Sequence, residues 1–577
     1  MAQVNGGYLL ARSLVDAGVS DVFALHGGHL DAFLQGCVAC DIRLLDTRHE
    51  AAAGHAADGY ARTTGRLGVV AVTAGPGFTN VYPALANAFV DGIPTLFILG
   101  AAPLREVETN PLQGGIDQIA MAAPVSKWAH RITQADRIPD LIELAIRKAT
   151  TGRPGPVTIE VPIDICHSFV EEKSVSRPSG HAVTARAAPS AADLSAALEL
   201  LGRAERPAVI VGGGALFADC QDGLRAFAER TGIPVFASRK GAGALPTGHA
   251  MDAGAVGNLG ILHRATGQGP DAVLLLGQRL GLYTGGQSDS LLPYDCKLIQ
   301  VDIEAAEIGR LRHIEVALVA DCGAAIDALA GAAGEHDWPD WTSWRGQAVA
   351  AAGAYAASFG DPDPEAPAIH PFHAAGAVAA ALPEDALIAL DGGEASGWMD
   401  GHLRPQRPGQ VLGHGYFGCL GIGPGMAIGL QRAHPDRRVV QVTGDGSIGF
   451  HIQEFDTMVR HDLPIVTVVF NNAGWGMCMH GQDLIYGRNA RVITELVDSD
   501  YHQVCQAFGG VGYRVDRLDQ VTEVVREALA QRRPACVNLM VDPEVVSPVT
   551  LGFIGKTDKD REEILVPYYQ NLTASEG

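Results

Sequence analysis

Residues 439–450, VVQVTGDGSIGF, run apolar through Val442 and then stop at Asp445, which has a glycine on either side. An aspartate at a strand end can simply start a turn, because Asp bonds its own backbone and Gly tolerates positive φ. The flanking sequence asks for more. After GDG comes SIGFHIQEFDTMVR, in which Ile448, Ile452, Phe455 and Val459 share one helical face, then the apolar run LPIVTVVF and Asn471-Asn472. The spacing predicts strand, tight turn, one packed helix and a second strand, with Asp445 and Asn472 at the carboxyl ends of parallel strands. Two oxygen side chains and a loop carbonyl there suit a hard cation such as Mg²⁺. The backbone N–H groups after Gly446 can meet phosphate oxygens at a helix start.

The same alternation of short β-branched runs and longer periodic segments extends outward in both directions. It gives an α/β chain of three doubly wound parallel-sheet domains. The first covers 1–170 and contains LGVVAVTAGPG, IPTLFILG and GPVTIEVPIDI; a polar linker, 171–193, follows. A central domain spans 194–340 with PAVIVGGG, DAVLLLGQRL and CKLIQVDI; after a second linker, 341–371, the third domain runs over 372–550, leaving a tail at 551–577.

Bulk properties narrow the function classes. In 577 residues, 43 Lys and Arg stand against 65 Asp and Glu, a net charge of −22, and no long basic run appears, so a nucleic-acid partner is disfavoured. No apolar segment approaches the roughly 20 residues that span a bilayer. The N-terminus, MAQVNGGYLLARSLVDAG, reads as an amphipathic helix and not as a signal peptide. Ten scattered cysteines lack the density of a disulfide scaffold, and Cys37 and Cys40 read as packed helix-face thiols, so a cytoplasmic protein is expected.

GDG, 24 intervening residues (447–470) and NN resembles the signature of thiamine diphosphate (ThDP) enzymes. The resemblance implies Asp445 and Asn472 as Mg²⁺ ligands through their side chains and Gly474 through its carbonyl. Gly444, Gly446, Ser447, Trp475, Gly476 and Met477 would flank the cofactor. LLDTRHEAAAGHAADGYAR is similar to the segment that holds the family's activating glutamate, here Glu50. Such a carboxyl works against the aminopyrimidine so that the thiazolium C2 proton can leave. HGYFGCLGIGPG resembles the segment that supports the bent cofactor, with Leu420 beneath it and the Gly418 carbonyl on its amino group. TAGPGFTN, residues 73–80, would wall the thiazolium with Thr73, Gly75, Pro76 and Asn80. Glu50 and Asp445 lie on different domains, which implies at least a homodimer, and the family suggests a homotetramer.

Along most of its length the chain resembles benzaldehyde lyases, a family that makes and cleaves 2-hydroxy ketones. The matching stretches LHGGHLDAFLQGC and ETNPLQGGIDQIAMAAPVSKWAHR place Gly28, His29 and Gln113 near the reacting carbon, with His29 the better proton-transfer group. Where that family has aromatic pocket residues, this chain has Ser396 and Gly481, partly refilled by Met477, which favours a short aliphatic substrate. Arg239 and Lys240 stand where the related 2-hydroxyacyl-CoA lyases and oxalyl-CoA decarboxylases have a lysine near a nucleotide site. Together with Lys556, Lys559 and Arg561 of the tail, they are candidate CoA-phosphate contacts. Glu495 is a further candidate acid or base. The reading favours a ThDP- and Mg²⁺-dependent lyase that cleaves a 2-hydroxyacyl-CoA to a ketone or aldehyde and formyl-CoA. The alternative is a benzaldehyde lyase-type enzyme acting on 2-hydroxy ketones. A 2-oxo acid decarboxylase, an acetolactate-type synthase and a non-catalytic binding protein rank lower.

Overall fold

A computed structural model describes residues 3–109, 111–177 and 185–554. It contains three six-stranded sheets and a two-stranded antiparallel pair, Gln3–Asn5 with Phe169–Glu171. In the first sheet the strands are β1 (Asp21–Ala24), β2 (Arg43–Asp46), β3 (Gly68–Val72), β4 (Thr95–Ala101), β5 (Trp128–Arg131) and β6 (Val157–Pro162), in spatial order 2-1-3-4-6-5. The central sheet holds β7 (Pro207–Val211), β8 (Val235–Ala237), β9 (Asp252–Ala255), β10 (Ala272–Leu276), β11 (Lys297–Asp302) and β12 (Val316–Val319), in order 9-8-7-10-11-12. The third has β13 (Leu387–Leu390), β14 (Val411–Gly413), β15 (Val439–Gly444), β16 (Val466–Asn471), β17 (Val511–Val515) and β18 (Ala535–Met540), in order 14-13-15-16-18-17.

All pairings within the three sheets are parallel. Helices cover both faces of such sheets, which is why β3, β4, β10 and β16 are buried along their whole length and read as unbroken apolar runs. The outer sheets share one strand order, whereas the central sheet has the dinucleotide-fold order. In the outer pair the order reverses between the first and third strands, so β13 and β15 flank a natural ligand crevice at their carboxyl ends.

Six helices position the site: α1 (Glu50–Thr64), α2 (Pro76–Asp91), α3 (Glu394–Asp400), α4 (Ile422–Ala433), α5 (Gly476–Tyr486) and α6 (Pro548–Ile554). Helices α1 and α4 join the outer domains backbone to backbone. A Cβ on Gly425 would stand 2.6 Å from the Ala52 carbonyl oxygen, and one on Gly59 would stand 2.7 Å from that of Met426. Side chains any larger would hold these helices apart, so this contact depends on glycine.

A buried charge network ties all three domains together. Asp91 bonds Arg62 (2.9 Å) of the first domain and Lys240 (2.5 Å) of the central one, while Arg62 also holds Asp58 and reaches the Gly413 carbonyl of the third. Burial alone would raise the Asp91 pKa, but the two cations hold it down at about 2.

Two expectations are corrected. The segment after GDG is not one helix: a short turn of helix, Asp445–Ile448, is followed by irregular chain and then by Glu454–Arg460. The break lets Glu454 turn back, where its carboxylate accepts from the backbone N–H of Arg48 (3.0 and 3.2 Å) and from Thr457 (2.6 Å). The stretch 341–371 begins with a 16-residue helix, Thr342–Ala357, whose Trp344, Ala348 and Ala351 lie in the central core. Its Ala-rich composition resembles linker sequence and hides that face. Among the described residues no helix is long and apolar enough to cross a membrane. Cys37 and Cys40 are free thiols, the first pushed up to about 12 by burial.

Candidate active site

At the carboxyl ends of β15 and β16, three oxygens converge. The side-chain oxygen of Asn472 stands 2.9 Å from the Gly474 carbonyl oxygen and 3.2 Å from an Asp445 carboxylate oxygen. Acceptors do not gather in this way unaided. Either the amide turns so that its nitrogen donates to both, or a cation lies between them. Neighbouring oxygens around an octahedral Mg²⁺ with bonds of about 2.1 Å are about 3 Å apart, so the donor set fits that ion. The other Asp445 oxygen accepts from the Gly474 N–H at 2.9 Å, which fixes the turn. Burial pushes the Asp445 carboxyl up to about 6, a cost that a bound cation removes. Asn471 plays the structural part of the pair: its amide donates to the Ser499 carbonyl and to Asn538.

The surrounding cradle is shaped by glycines and one indole. Trp475 covers Gly446, and Gly392 brings β13 against Ser447, with its built Cβ 3.1 Å from the hydroxyl. Gly476 abuts both Asn472 and Glu394, while Gly393 packs on Met477. Gly444, Asp445, Gly446, Ser447, Asn472, Gly474, Trp475, Gly476 and Met477 therefore line one continuous surface.

A second cluster forms at the carboxyl ends of β3 and β4. His29 is buried and its Nδ1 lies 3.4 Å from the Thr73 hydroxyl, which donates to the Gln113 side-chain oxygen at 3.2 Å. Burial lowers the His29 pKa, and Gln113 partly offsets this. Because the Thr73 proton is committed to Gln113, its oxygen is the acceptor for His29 Nδ1–H, which leaves Nε2 free to take a proton. Gly28 opens the short helical turn that carries His29. Gly75, at φ +61°, lies so close to the Gln113 backbone that a Cβ would stand 2.9 Å from its carbonyl oxygen. Pro76 then starts α2, and Asn80 on that helix donates to Glu50 at 3.0 Å.

Sequence reasoning missed two anchors. Gln118, buried, accepts from the Gly75 N–H at 2.8 Å and donates to the Gly100 carbonyl and Glu160, fixing the glycine turn. Asp391, at the end of β13, accepts from the N–H groups of Gly392, Gly421 and Gly423 and pins the 418–421 loop. Its signal was available: DALIALDGG repeats the apolar-run-then-Asp-Gly pattern of Asp445. On that loop Gly418 has φ +65° and Leu420 is only partly buried, outside the core clusters. Among the described residues no hydrogen bond joins Glu50 to Asp445, Asn472 or the 418–420 segment; its bonded neighbour is Asn80.

The substrate-side positions are rearranged relative to expectation. Ser396 is sealed, its hydroxyl donating to the Gly392 and Gly393 carbonyls at 2.7 and 3.0 Å. Gly481 faces Ile554 of α6, 3.6 Å from a built Cβ. The space left by small residues is thus occupied by a distant helix. Glu495 pairs its backbone with Gly474 but keeps an exposed carboxylate, 3.6 Å from Arg491. Arg239 and Lys240 are already neutralised by Asp400 (2.5 Å) and Asp91 (2.5 Å). Lys556, Lys559 and Arg561 lie outside the described residues.

A cavity of about 1250 Å³ lies between the central domain and the outer two. Its lining includes the Gly213-Gly214 turn after β7, Arg239, Asp302 at the end of β11, and Pro548 and Val549 of α6.

Comparisons with known proteins agree with this geometry. Residues 4–121, 194–329 and 391–539 match, in turn, the N-terminal TPP binding domain, the central domain and the C-terminal TPP binding domain of thiamine pyrophosphate enzymes. A probable acetolactate synthase of Mycobacterium bovis is 32% identical, the match covering 94% of this chain and 97% of that protein. The acetolactate synthase large subunit of Haemophilus influenzae is 30% identical over 94% and 95%. The 2-hydroxyacyl-CoA lyase 2 of Bos taurus is 31% identical over 93% and 87%. With three domain matches in order, the chain belongs to the thiamine pyrophosphate enzymes, and its cofactor is thiamine diphosphate with a magnesium ion.

Proposed function

We propose that this enzyme is a carbon–carbon lyase that cleaves a short 2-hydroxyacyl-CoA to a ketone or aldehyde and formyl-CoA. The observation that carries this reading is the cavity of about 1250 Å³, whose lining includes Asp400 of α3 and Val549 of α6. It exceeds the 300–1000 Å³ typical of sites for small ligands and is sized for a nucleotide-bearing thioester. With Arg239 and Lys240 paired to carboxylates, the support is volume and position more than free charge.

Asp445, Asn472 and the Gly474 carbonyl would hold the magnesium ion, and Glu50 the aminopyrimidine. When bound, ThDP supplies an electron sink for the carbon that loses its bond. The chain's own groups manage protons. His29, neutral and with Nε2 free, takes the 2-hydroxyl proton, while Gln113 holds Thr73 and thereby the imidazole. Glu50 and Asp445 lie on different domains, and the site is completed by a second copy that sets Glu50 of one protomer against the cradle of the other. The assembly is then a homodimer or a pair of dimers.

A second reading, acetolactate synthesis from 2-oxo acids, is favoured by the relatives that bear that name. The test is to incubate the enzyme with Mg²⁺, ThDP and, separately, 2-hydroxyisobutyryl-CoA, benzoin and pyruvate. Formyl-CoA from the first supports the proposal. Rapid benzaldehyde release from benzoin, or acetolactate from pyruvate, without formyl-CoA overturns it.

A further inference from the structure

Beside the cation site lies a buried cluster that the proton chemistry does not use. Glu394, the first residue of α3, is buried with both carboxylate oxygens 3.0 Å from His480 Nδ1 on α5. The same carboxylate accepts from the Ser547 N–H at 3.2 Å and from the Thr550 hydroxyl on α6. His480 Nε2 donates to the Pro543 carbonyl at 2.8 Å. Both imidazole nitrogens face acceptors, so both carry protons, and the ring is a cation paired with Glu394. Burial opposes that charge, but the carboxylate outweighs it and the His480 pKa is raised. One carboxylate thus ties three elements that are far apart in sequence.

Helix α6 is what those ties hold. On one side its Pro548, Val549 and Gly552 line the large cavity, and Phe553 meets Tyr283 of the central domain with ring centroids 5.5 Å apart. Val549 also fills the space over Gly397 of the cavity lining, 2.9 Å from a built Cβ, and on the other side Ile554 fills the space over Gly481. The helix therefore separates the cavity from the Met477–Gly481 face of the cradle. Seven of its residues, Pro548–Ile554, are among the described residues. Its position depends on the contacts it makes, and its buried polar ties end on Glu394.

We propose that Glu394 is a positioning residue. Through Thr550 and Ser547 it holds α6 as the wall between the central cavity and the substrate face, and through His480 it holds α5, so that the acyl group is sized against Ile554. The inference rests on the reading of the Asp445 crevice as the reaction site, and on the lyase reading only for the choice of substrate.

The test compares Thr550→Val, which keeps the shape and removes the hydroxyl, with Thr550→Ser, which keeps the hydroxyl. Hydrogen exchange of the amides of residues 549–554 is followed in the Mg²⁺-ThDP-loaded full chain, alongside cofactor titration by tryptophan fluorescence and steady-state kinetics. A lost hydrogen bond to a buried charge is expected to speed exchange of α6 about tenfold or more in Thr550→Val. It is expected to raise KM for the acyl substrate by a similar factor, with kcat and cofactor affinity within about threefold of the parent. Thr550→Ser restores both. Unchanged exchange overturns the proposal, as does a joint loss of kcat and cofactor affinity, which would assign Glu394 to the diphosphate cradle instead. Absence of formyl-CoA with every acyl-CoA tried would reject the lyase reading. The exchange and cofactor measurements would still decide the role of Glu394.

Discussion

Trp475 lies over Gly446 so closely that a Cβ on this glycine would stand 2.6 Å from the indole ring. Gly446→Ala therefore forces the indole or the turn to shift, and overpacking of this kind costs about 1–3 kcal/mol. The expected outcome is a lower melting temperature together with weakened Mg²⁺-ThDP binding, read from the fluorescence of Trp475 during titration. A variant with the parent's affinity would show that the indole does not shape the cradle.

Metal removal should make stability fall with pH. The buried Asp445 carboxyl, raised to about 6 from 3.8, binds its proton more tightly in the folded than in the unfolded chain. Its contribution is favourable at low pH and is lost as pH rises from about 4 to 6, by about 3 kcal/mol in the absence of a cation. Glu454, pushed by burial to about 7, adds a loss of the same sign between about 4.5 and 7. Thermal melts of chelator-treated protein should therefore decline from pH 5 to pH 7. Added Mg²⁺ should restore more stability at pH 7 than at pH 5, and Asp445→Asn should abolish both that Mg²⁺-dependent part and the share of the decline that the Asp445 carboxyl contributes.

Glu50 accepts from Asn80 and is placed at the N-terminus of α1. Glu50→Gln is expected to keep the fold and Mg²⁺-ThDP binding while lowering kcat by about 10²-fold or more, the usual range for losing a proton-transfer group. Circular dichroism, cofactor titration and turnover under identical conditions separate these effects, and an unaltered rate would remove Glu50 from the chemistry.

Asp91 is the shared counter-ion of Arg62 and Lys240. Asp91→Asn keeps its shape but leaves two cations facing each other with less than their matching charge. Breaking a buried pair in this way costs about 3–5 kcal/mol. Urea denaturation should show the loss, with Asp222→Asn, at an exposed ion pair, as a nearly neutral control.

Much of the site was legible because its parts are local. Asp445, Gly446, Asn472 and Gly474 follow from a strand, a turn and the next strand, and the spacing carries them whatever packs around. Glu50 at the head of an Ala-rich helix and Thr73 to Asn80 were named through the resemblance to thiamine diphosphate enzymes and not by spacing. Gln118 and Asp391 were less visible, since each works by reaching backbone groups on another segment. The single helix expected through residues 447–460 is broken because the pull of Glu454 toward the Arg48 N–H outweighs helical continuity.

Apolar periodicity in the amino-acid sequence alone determined the three parallel sheets, and the cofactor came from the resemblance of its GDG and NN motifs to thiamine diphosphate enzymes. Tertiary structure decided the rest. Lys240 finds Asp91 and Arg239 finds Asp400, so charges that read as free are spent inside the protein. Gly481 and Ser396 read as an emptied pocket, yet Ile554 covers the glycine and the serine is sealed by its own turn. Glu394, unremarkable in DGGEASGWMD, becomes the tie between three elements. Each of these depends on which distant groups share a buried space, where an unpaired charge or an unfilled void is costly, and no local pattern records that.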